Sequence, residues 1–190
     1  MTKGSQLKLS YFSKMKGTTK SPPRVSLSEV VWSWIGAFLG IVAVSYIEHY
    51  FLEDTDLVMV IGSFGATAVL LYGAIKSPLA QPRNCLGGHL ISAFIGVACY
   101  KLFPAQMWLA SALAVATAIA VMHLTKTLHP PGGATALIAV IGSTKIHNLG
   151  YLYAIIPVGL GAIIMLVVAL LEPVRQPKGC FLGNNFCETG

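Results

Sequence analysis

The residues best suited to bind a ligand lie in two similar stretches of an otherwise apolar sequence. Residues 65–68 and residues 133–136 both read Gly-Ala-Thr-Ala, at an offset of 68, and apolar residues follow each of them. The second stretch comes after His129 and two prolines, and proline fits the first turn of a helix while it restricts the residue before it. This pattern predicts a helix that begins inside the membrane. The first stretch follows the extended-looking residues 58–62, so we expect its helix to begin near Ser63.

Two helix N-termini that face each other predict a binding site for an anion. A helix N-terminus exposes unpaired backbone N–H groups and about half a positive charge, so it attracts anions without any lysine. Hydroxyl groups in the same stretches add hydrogen-bond donors, and we place the site near the membrane midplane. In an alternative interpretation, the small residues only allow helices to pack closely. The predicted substrate-binding residues are Ser63, Gly65, Ala66, Thr67, His129, Gly132, Gly133, Ala134 and Thr135.

Charged and polar residues nearby are candidates for gating or steering. His129 can gate the site, donate a hydrogen bond to an anion or take up a proton, and it can equally be a histidine satisfied by a backbone carbonyl. Lys126 either attracts an anion or anchors the chain at the inner interface. Arg83 and Asn84 lie in a polar inner loop, where an arginine can steer an anion or simply mark the inner side.

Neither a metal site nor a catalytic site is predicted. His89 and His123 lie in apolar runs, but the spacing of six between His123 and His129 does not place both on one helical face. Cys85 and Cys99 fall in or beside apolar runs, where a cysteine is usually a small packing residue. The sequence has no Walker loop, no GxSxG or HExxH pattern and no pair of intramembrane carboxylates. We therefore expect no enzyme activity, no cofactor and no metal.

The composition requires lipid as the solvent of this chain. Its 190 residues are 55% hydrophobic and 11% charged, with a mean hydropathy of +0.70, whereas a soluble domain carries about 25% charged residues. The net charge of +6 does not indicate nucleic-acid binding, because six of the 13 Lys and Arg residues precede the first apolar run. Basic residues in that position mark the cytoplasmic side of a membrane protein.

Six uncharged runs approach or exceed the length that crosses a membrane, about 20 residues with a range of about 17 to 25. With the N-terminus inside, six spans place 11 basic residues inside and 2 outside, as the positive-inside rule expects. The repeat divides the spans into two three-helix units, and the odd number makes the units inverted. We predict an all-α membrane protein in which segments 57–75 and 127–144 are broken. The runs are Val30–Ile47, Leu57–Ile75, Asn84–Tyr100, Leu102–Thr125, Thr127–Thr144 and Ile146–Leu171.

The predicted transmembrane domain covers residues 29–171, with repeat halves of about 29–103 and 104–171. Residues 1–28 form a basic cytoplasmic tail and residues 172–190 a C-terminal tail. Because six short helices make a thin bundle, we also consider a homo-oligomer.

An acidic outer loop supports a different cargo. Glu53, Asp54 and Asp56 follow Glu48, and an acidic mouth repels anions and suits a cation or a proton-coupled carrier. Salt screens such charges beyond about 8–10 Å, so an anion remains compatible with this loop. Besides an anion transporter and a cation or proton-coupled carrier, the sequence is compatible with a membrane scaffold that transports nothing.

Two segments resemble the signature of the HPP family of integral membrane proteins. Residues 129–137 read His-Pro-Pro-Gly-Gly-Ala-Thr-Ala-Leu, and residues 77–84 read Ser-Pro-Leu-Ala-Gln-Pro-Arg-Asn and continue to Gly87-Gly88-His89. The resemblance covers roughly residues 24–171. Members of the family are implicated in nitrite transport in cyanobacteria and at the chloroplast envelope. The resemblance therefore implies a transporter or channel for nitrite or a similar small anion.

The resemblance also carries expectations about location and topology. It implies a bacterial inner membrane or a plastid envelope. The positive-inside count with six spans places both termini on the cytoplasmic or stromal side. The family is usually described as having four transmembrane segments, which differs from the six spans predicted from the uncharged runs.

Overall fold

Apolar stretches and proline positions decide where the helices of this chain begin and end. The structure is a computed structural model, and it describes residues 24–50 and 54–171, apart from the side chains of residues 54–59 and 61. Within these ranges the chain is helical with short turns and contains no strand, because only a helix satisfies its own backbone hydrogen bonds in lipid. Most of the two predicted tails and Glu53 lie outside the described residues.

Seven α-helices and four shorter helical segments follow one another along the described residues. The α-helices are α1 (Leu27–Glu48), α2 (Asp54–Ala68), α3 (Pro82–Leu102), α4 (Met107–Leu124), α5 (Pro130–Ile141), α6 (Thr144–Leu149) and α7 (Leu160–Leu171). The shorter segments are a π-helical turn (Val69–Gly73), a 3-10 turn (Pro78–Ala80), a second 3-10 turn (Gly150–Ala154) and a second π-helical turn (Ile155–Gly159).

The helix starts follow from local sequence. At α1, Ser26 and Glu29 form a capping box, in which the Ser26 hydroxyl oxygen accepts from the Glu29 N–H at 3.2 Å and the Glu29 carboxylate accepts from the Ser26 N–H at 2.8 Å. Prolines occupy the first turns of α3 and α5, where a backbone N–H would have no partner within the helix. Helix α5 has 12 residues, about 18 Å of helix. The predicted break in segment 127–144 is confirmed.

Four helical segments of the described chain are long and apolar enough to cross a membrane, namely α1, α3, α4 and residues 144–171. Helix α5 is apolar but shorter. Large apolar side chains point outwards, and Trp34 and Trp108 are 66% and 75% exposed. Because a protein in water does not present so much apolar surface, this surface lies against lipid. The chain is an integral membrane protein.

Two predicted boundaries are wrong. Helix α2 runs without a break from Asp54 through residues 58–62 to Ala68, and the π-helical turn extends it to Gly73. Acidic residues stabilise a helix N-terminus, and lipid forces even β-branched residues to satisfy their backbone groups in a helix. The sixth run is not one helix, because the backbone kinks at Ile156 and Pro157, where proline cannot donate the helical hydrogen bond.

Helix α3 lies inside the bundle and packs against α4, α5 and the segments of residues 150–159. Helix α1 packs against α2 and α7. Glycines allow α3 and α5 to approach closely, since a Cβ atom at Gly88 would meet the Cβ atom of His129, and one at Gly96 would meet the carbonyl oxygen of Ala136. Close approach through small residues is typical of helices in membranes. It brings His89 of α3 against the first turn of α5.

Candidate functional site

Five polar side chains meet in the interior of the bundle, and we call this group the His–Thr centre. Ser63 and Thr67 come from α2, and His89 comes from α3. His129 occupies the N-cap position of α5, and Thr135 lies six residues further along that helix. None of these residues is more than 3% exposed. Polar side chains at such a position in a membrane protein are rare and are associated with function.

A continuous chain of hydrogen bonds connects the five residues. Ser63 Oγ lies 2.9 Å from Thr135 Oγ1, and Thr135 Oγ1 lies 2.8 Å from His89 Nδ1. The other nitrogen of that ring, His89 Nε2, lies 2.8 Å from Thr67 Oγ1, which is 3.2 Å from His129 Nε2. The chain ends at the backbone of the preceding loop, where His129 Nδ1 lies 2.9 Å from the carbonyl oxygen of Leu79.

The direction of these bonds follows from their last member. A carbonyl oxygen only accepts, so His129 Nδ1 carries the proton and His129 Nε2 is an acceptor. With both imidazoles neutral, Thr67 then donates to His129 Nε2, and His89 donates from Nε2 to Thr67. Thr135 donates to His89 Nδ1, and Ser63 donates to Thr135. Every side-chain contact in the chain is satisfied in this pattern.

The two threonines of the repeated motif occupy equivalent positions in the centre. Thr67 Oγ1 and Thr135 Oγ1 each lie 3.3 Å from the carbonyl oxygen four residues earlier, Ser63 and Pro131 respectively. They also bind the two nitrogens of the same ring, His89. The offset of 68 residues therefore has a structural counterpart at the site. Ser63 and Pro131, which are also 68 residues apart, are in direct contact, with Ser63 Oγ 3.0 Å from the carbonyl oxygen of Pro131.

The structure does not form the predicted pair of facing helix N-termini. The backbone amides of Gly65, Ala66 and Thr67 lie within the uninterrupted helix α2, where the helical hydrogen bonds use them. At α5 the first two residues are prolines, which have no N–H, and the N–H of Gly132 donates to the carbonyl oxygen of His129 at 2.9 Å. Only the N-terminus of α5 itself remains beside the centre.

The predicted binding residues therefore separate into two groups. The structure brings together the side chains of Ser63, Thr67, His129 and Thr135. It does not bring the small residues of the list to the same place, since Ala66 is exposed on the outside of α2 and Gly65, Gly133 and Ala134 are only half-buried. Gly132 is buried against α3.

The centre lies nearer one end of α3 than the middle of that helix. His89 is the eighth of the 21 residues of α3, so it lies about 10 Å along a helix of about 30 Å. Arg83, at the start of α3, and Lys126, before α5, are exposed at this same end. The physical reason is that α5 begins near this end of α3, whereas two facing half-helices would have met in the middle.

Asn84 has a structural contact that favours a positioning role over steering. It is buried, and its Nδ2 donates to the carbonyl oxygen of Leu128 at 2.8 Å. This bond ties the first turn of α3 to the residue before His129. Asn84 therefore helps to hold His129 in place.

Sequence reasoning assigned Glu48 to the acidic outer mouth and did not predict that its carboxyl group is buried. Glu48 ends α1 and is 1% exposed, and neither of its carboxyl oxygens has a hydrogen-bond partner among the described residues. A Cβ atom at Gly161 would lie 2.8 Å from Glu48 Oε1, so glycine leaves room for this carboxyl. The same Cβ would meet the ring of Phe64, which packs at 5.1 Å from the ring of His89. Glu48 and Phe64 therefore both face Gly161, and Phe64 in turn contacts His89 of the centre.

A second group that sequence reasoning missed has the donor atoms of a metal site. Ligand atoms of Cys85, His89 and His129 all lie within 4.8 Å of one another, and all three residues are buried. Cys85 and His89 are four residues apart on α3, which places them on one face of the helix. That spacing was visible in the sequence, but the approach of His129 depends on the packing of α5.

Comparison with known proteins supports a membrane protein family. A family model described as HPP, transmembrane region, matches residues 22–183. A transmembrane protein of Dictyostelium discoideum is 44% identical over 166 residues, which cover 86% of this chain and 53% of that protein. A second transmembrane protein of the same organism is 42% identical over 168 residues, which cover 86% of this chain and 59% of that protein.

The chain spans a little more than half the length of these curated relatives, whose names state only that they are transmembrane proteins. No solved structure is significantly similar to the chain.

Proposed function

This chain belongs to the HPP transmembrane family, and we propose that it is a transporter or channel for a small inorganic anion, with nitrite as the first candidate. The observation that carries this proposal is the chain of hydroxyl and imidazole groups buried inside a membrane bundle. A purely structural core in lipid does not need five such side chains, and each of them is costly there unless it is bonded.

The chemistry of the centre suits an anion of the size of nitrite. Three hydroxyls supply donors that rotate, so they can turn from one another towards an oxygen of the anion. The N-terminus of α5 lies beside His129 and contributes partial positive charge. Among the described residues, no acidic side chain takes part in the hydrogen bonds of the centre.

Topology and assembly belong to the same proposal. The exposed Arg83 and Lys126 support an arrangement in which this end faces the cytoplasm or stroma and attracts the anion. The equivalent threonines support two related halves, and we propose the inverted arrangement for them. A homo-oligomer in a bacterial inner membrane or plastid envelope is part of the proposal.

The test is anion uptake into proteoliposomes that contain an anion-sensitive reporter. Nitrite, nitrate and chloride are compared with a cation control, using the wild type and Thr67→Val/Thr135→Val, which keeps the shape and removes both hydroxyls. The matched control is Thr117→Val, which removes a hydroxyl exposed on the outside of α4. We expect selective nitrite entry in the wild type and the control and its loss in the double variant.

Two results would contradict the proposal. If uptake persists in a folded double variant, the centre is not part of the anion path. If the folded wild type carries no anion flux, the protein is a scaffold or transports a different cargo.

Glu48 supports a second candidate, a cation or proton-coupled carrier. A buried carboxyl without a hydrogen-bond partner is a typical element of a cation path in a membrane protein. Charge reversal at Glu53, Asp54 and Asp56 separates the two candidates, because it should weaken a cation flux and strengthen an anion flux.

A further inference from the structure

We propose that Cys85, His89 and His129 form a binding site for a single soft metal ion, which we assign as Cu(I). This inference does not depend on the cargo of the protein. It starts from the separation of the three ligand atoms, which lie within 4.8 Å of one another. Ligands around one tetrahedral or trigonal metal ion are about 3.3–4 Å apart at metal–ligand distances of about 2.0–2.3 Å. Small side-chain rotations therefore close the site.

Both histidines direct their Nε2 atoms at the same atom, the Thr67 hydroxyl oxygen, which a metal bound between them would displace. His129 Nδ1 donates to the carbonyl oxygen of Leu79, so its Nε2 carries a lone pair. The two Nε2 atoms of His89 and His129 lie 2.8 and 3.2 Å from the same atom, Thr67 Oγ1. A metal-binding histidine typically donates its other N–H to a carbonyl or hydroxyl oxygen, and this bond fixes its tautomer.

Two backbone carbonyl oxygens, of Pro131 and Ser63, receive side-chain hydroxyls only when both Nε2 atoms bind a metal. His89 then carries its proton on Nδ1 and donates to Thr135, Thr135 donates to Ser63, and Ser63 donates to the carbonyl oxygen of Pro131 at 3.0 Å. The Thr67 hydroxyl gives up its contacts with the two Nε2 atoms and donates to the carbonyl oxygen of Ser63, from which its Oγ1 lies 3.3 Å in the metal-free structure. In the metal-free pattern neither carbonyl receives these hydroxyls. The surroundings therefore accommodate the metal-bound tautomer as well as the metal-free one.

The charge of the site selects the metal. The thiol of Cys85 loses its proton to solvent on binding, so each ion bound releases one proton. The resulting thiolate and Cu(I) have opposite unit charges, and the complex with two neutral imidazoles is uncharged. Zn(II) would leave one positive charge in a place where a net charge is costly. Thiolate and imidazole ligands are also those that Cu(I) prefers.

The test uses a second buried cysteine on the same helix as its matched control. Cys85 and Cys99 are the free cysteines of the described residues, and Cys180 and Cys187 lie outside them. The protein is purified without a polyhistidine tag in a Cys180→Ser/Cys187→Ser background. It is loaded with Cu(I) or Zn(II) under anaerobic conditions, desalted and analysed for metal content and by X-ray absorption.

We expect one copper per chain, bound by one sulfur and two nitrogen atoms, in the background protein and in Cys99→Ser. We expect Cys85→Ser and His89→Gln to retain only the trace of copper that a protein without a site carries through desalting. Thr135→Val, which removes the partner of His89 Nδ1, should weaken binding by roughly 10–100-fold. A thermal unfolding transition in each variant shows that it is folded. Copper should raise the unfolding temperature of Cys99→Ser and leave that of Cys85→Ser unchanged.

Equal copper content in Cys85→Ser and Cys99→Ser would overturn the site, and a preference for Zn(II) over Cu(I) would overturn the assignment of the metal. Anion uptake does not enter this test, so its failure is separate from failure of the transport proposal.

Discussion

Two adjacent glycines of α5 offer a test of the packing that builds the His–Thr centre. Gly132 and Gly133 are both in the first turn of the helix, but only Gly132 faces α3. A Cβ atom at Gly132 would lie 2.8 Å from Ser92 Oγ and 2.9 Å from the carbonyl oxygen of Gly88. A Cβ atom at Gly133 would have a single neighbour, Val115 Cγ1 at 3.9 Å. Substitution by alanine should therefore have opposite effects at the two positions.

The magnitudes follow from two opposing contributions. Alanine in a helix is favoured over glycine by roughly 0.5–1 kcal/mol, and this gain applies to both variants. At Gly132 it is opposed by overpacking, which costs typically about 1–3 kcal/mol. The upper half of that range applies, because a backbone carbonyl of α3 cannot rotate away as a side chain can. We expect Gly133→Ala to be stabilised by up to about 1 kcal/mol and Gly132→Ala to be destabilised by roughly 1–2 kcal/mol.

Thermal unfolding in one detergent, followed by circular dichroism, measures the difference between the two variants. Anion uptake is the second readout, and it should fall in Gly132→Ala because α5 carries His129 and Thr135. Equal stability and equal uptake of the two variants would refute the reasoning, since α3 and α5 would then not be in contact at Gly88 and Gly132.

Two further predictions concern groups outside the centre. Glu48→Met should raise stability by roughly 1–3 kcal/mol, because it removes an unbonded carboxyl from an apolar site; unchanged nitrite uptake would favour the anion proposal, and loss of a cation flux would favour the second candidate. Tyr72→Phe removes the hydrogen bond from Tyr72 Oη to the carbonyl oxygen of Met165 at 2.9 Å and should cost about 0.5–1.5 kcal/mol. This variant should leave copper binding unchanged, and a loss of copper in a folded protein would show that the site depends on the contact of α2 with α7.

The features that could be predicted from sequence are those that depend on neighbours along the chain. Hydropathy predicted that the chain is a membrane protein and where its six helical segments lie. The two prolines after His129 predicted the short helix α5. These predictions need only the length of an apolar run and the geometry of proline. Thr67 and Thr135 were found in the same way, because a repeated motif is visible without any tertiary structure.

The errors occur where packing decides. Residues 58–62 look extended by intrinsic preference, but a backbone inside a membrane has no water to bond to and remains helical. The predicted amide site depended on that break and disappeared with it. His89, Cys85 and Glu48 were missed as site residues because each is isolated in an apolar run. Their partners come from other helices. The close contacts of α3 with α5 at glycines bring Cys85 and His89 next to His129.

His89 connects the two proposals, because its ring has one nitrogen on each side of the centre. Nδ1 faces Thr135 and Ser63, and Nε2 faces Thr67 and His129. In the metal-free pattern Nδ1 accepts a hydrogen bond from the Thr135 hydroxyl, which turns that hydroxyl away from any anion. Copper on Nε2 requires the proton to be on Nδ1, so the ring becomes a donor towards Thr135 and the Thr135 hydroxyl is released towards Ser63. That side of the centre then has one more donor, whereas copper occupies Nε2 of His129 on the other side, so bound copper should change the affinity of the centre for an anion.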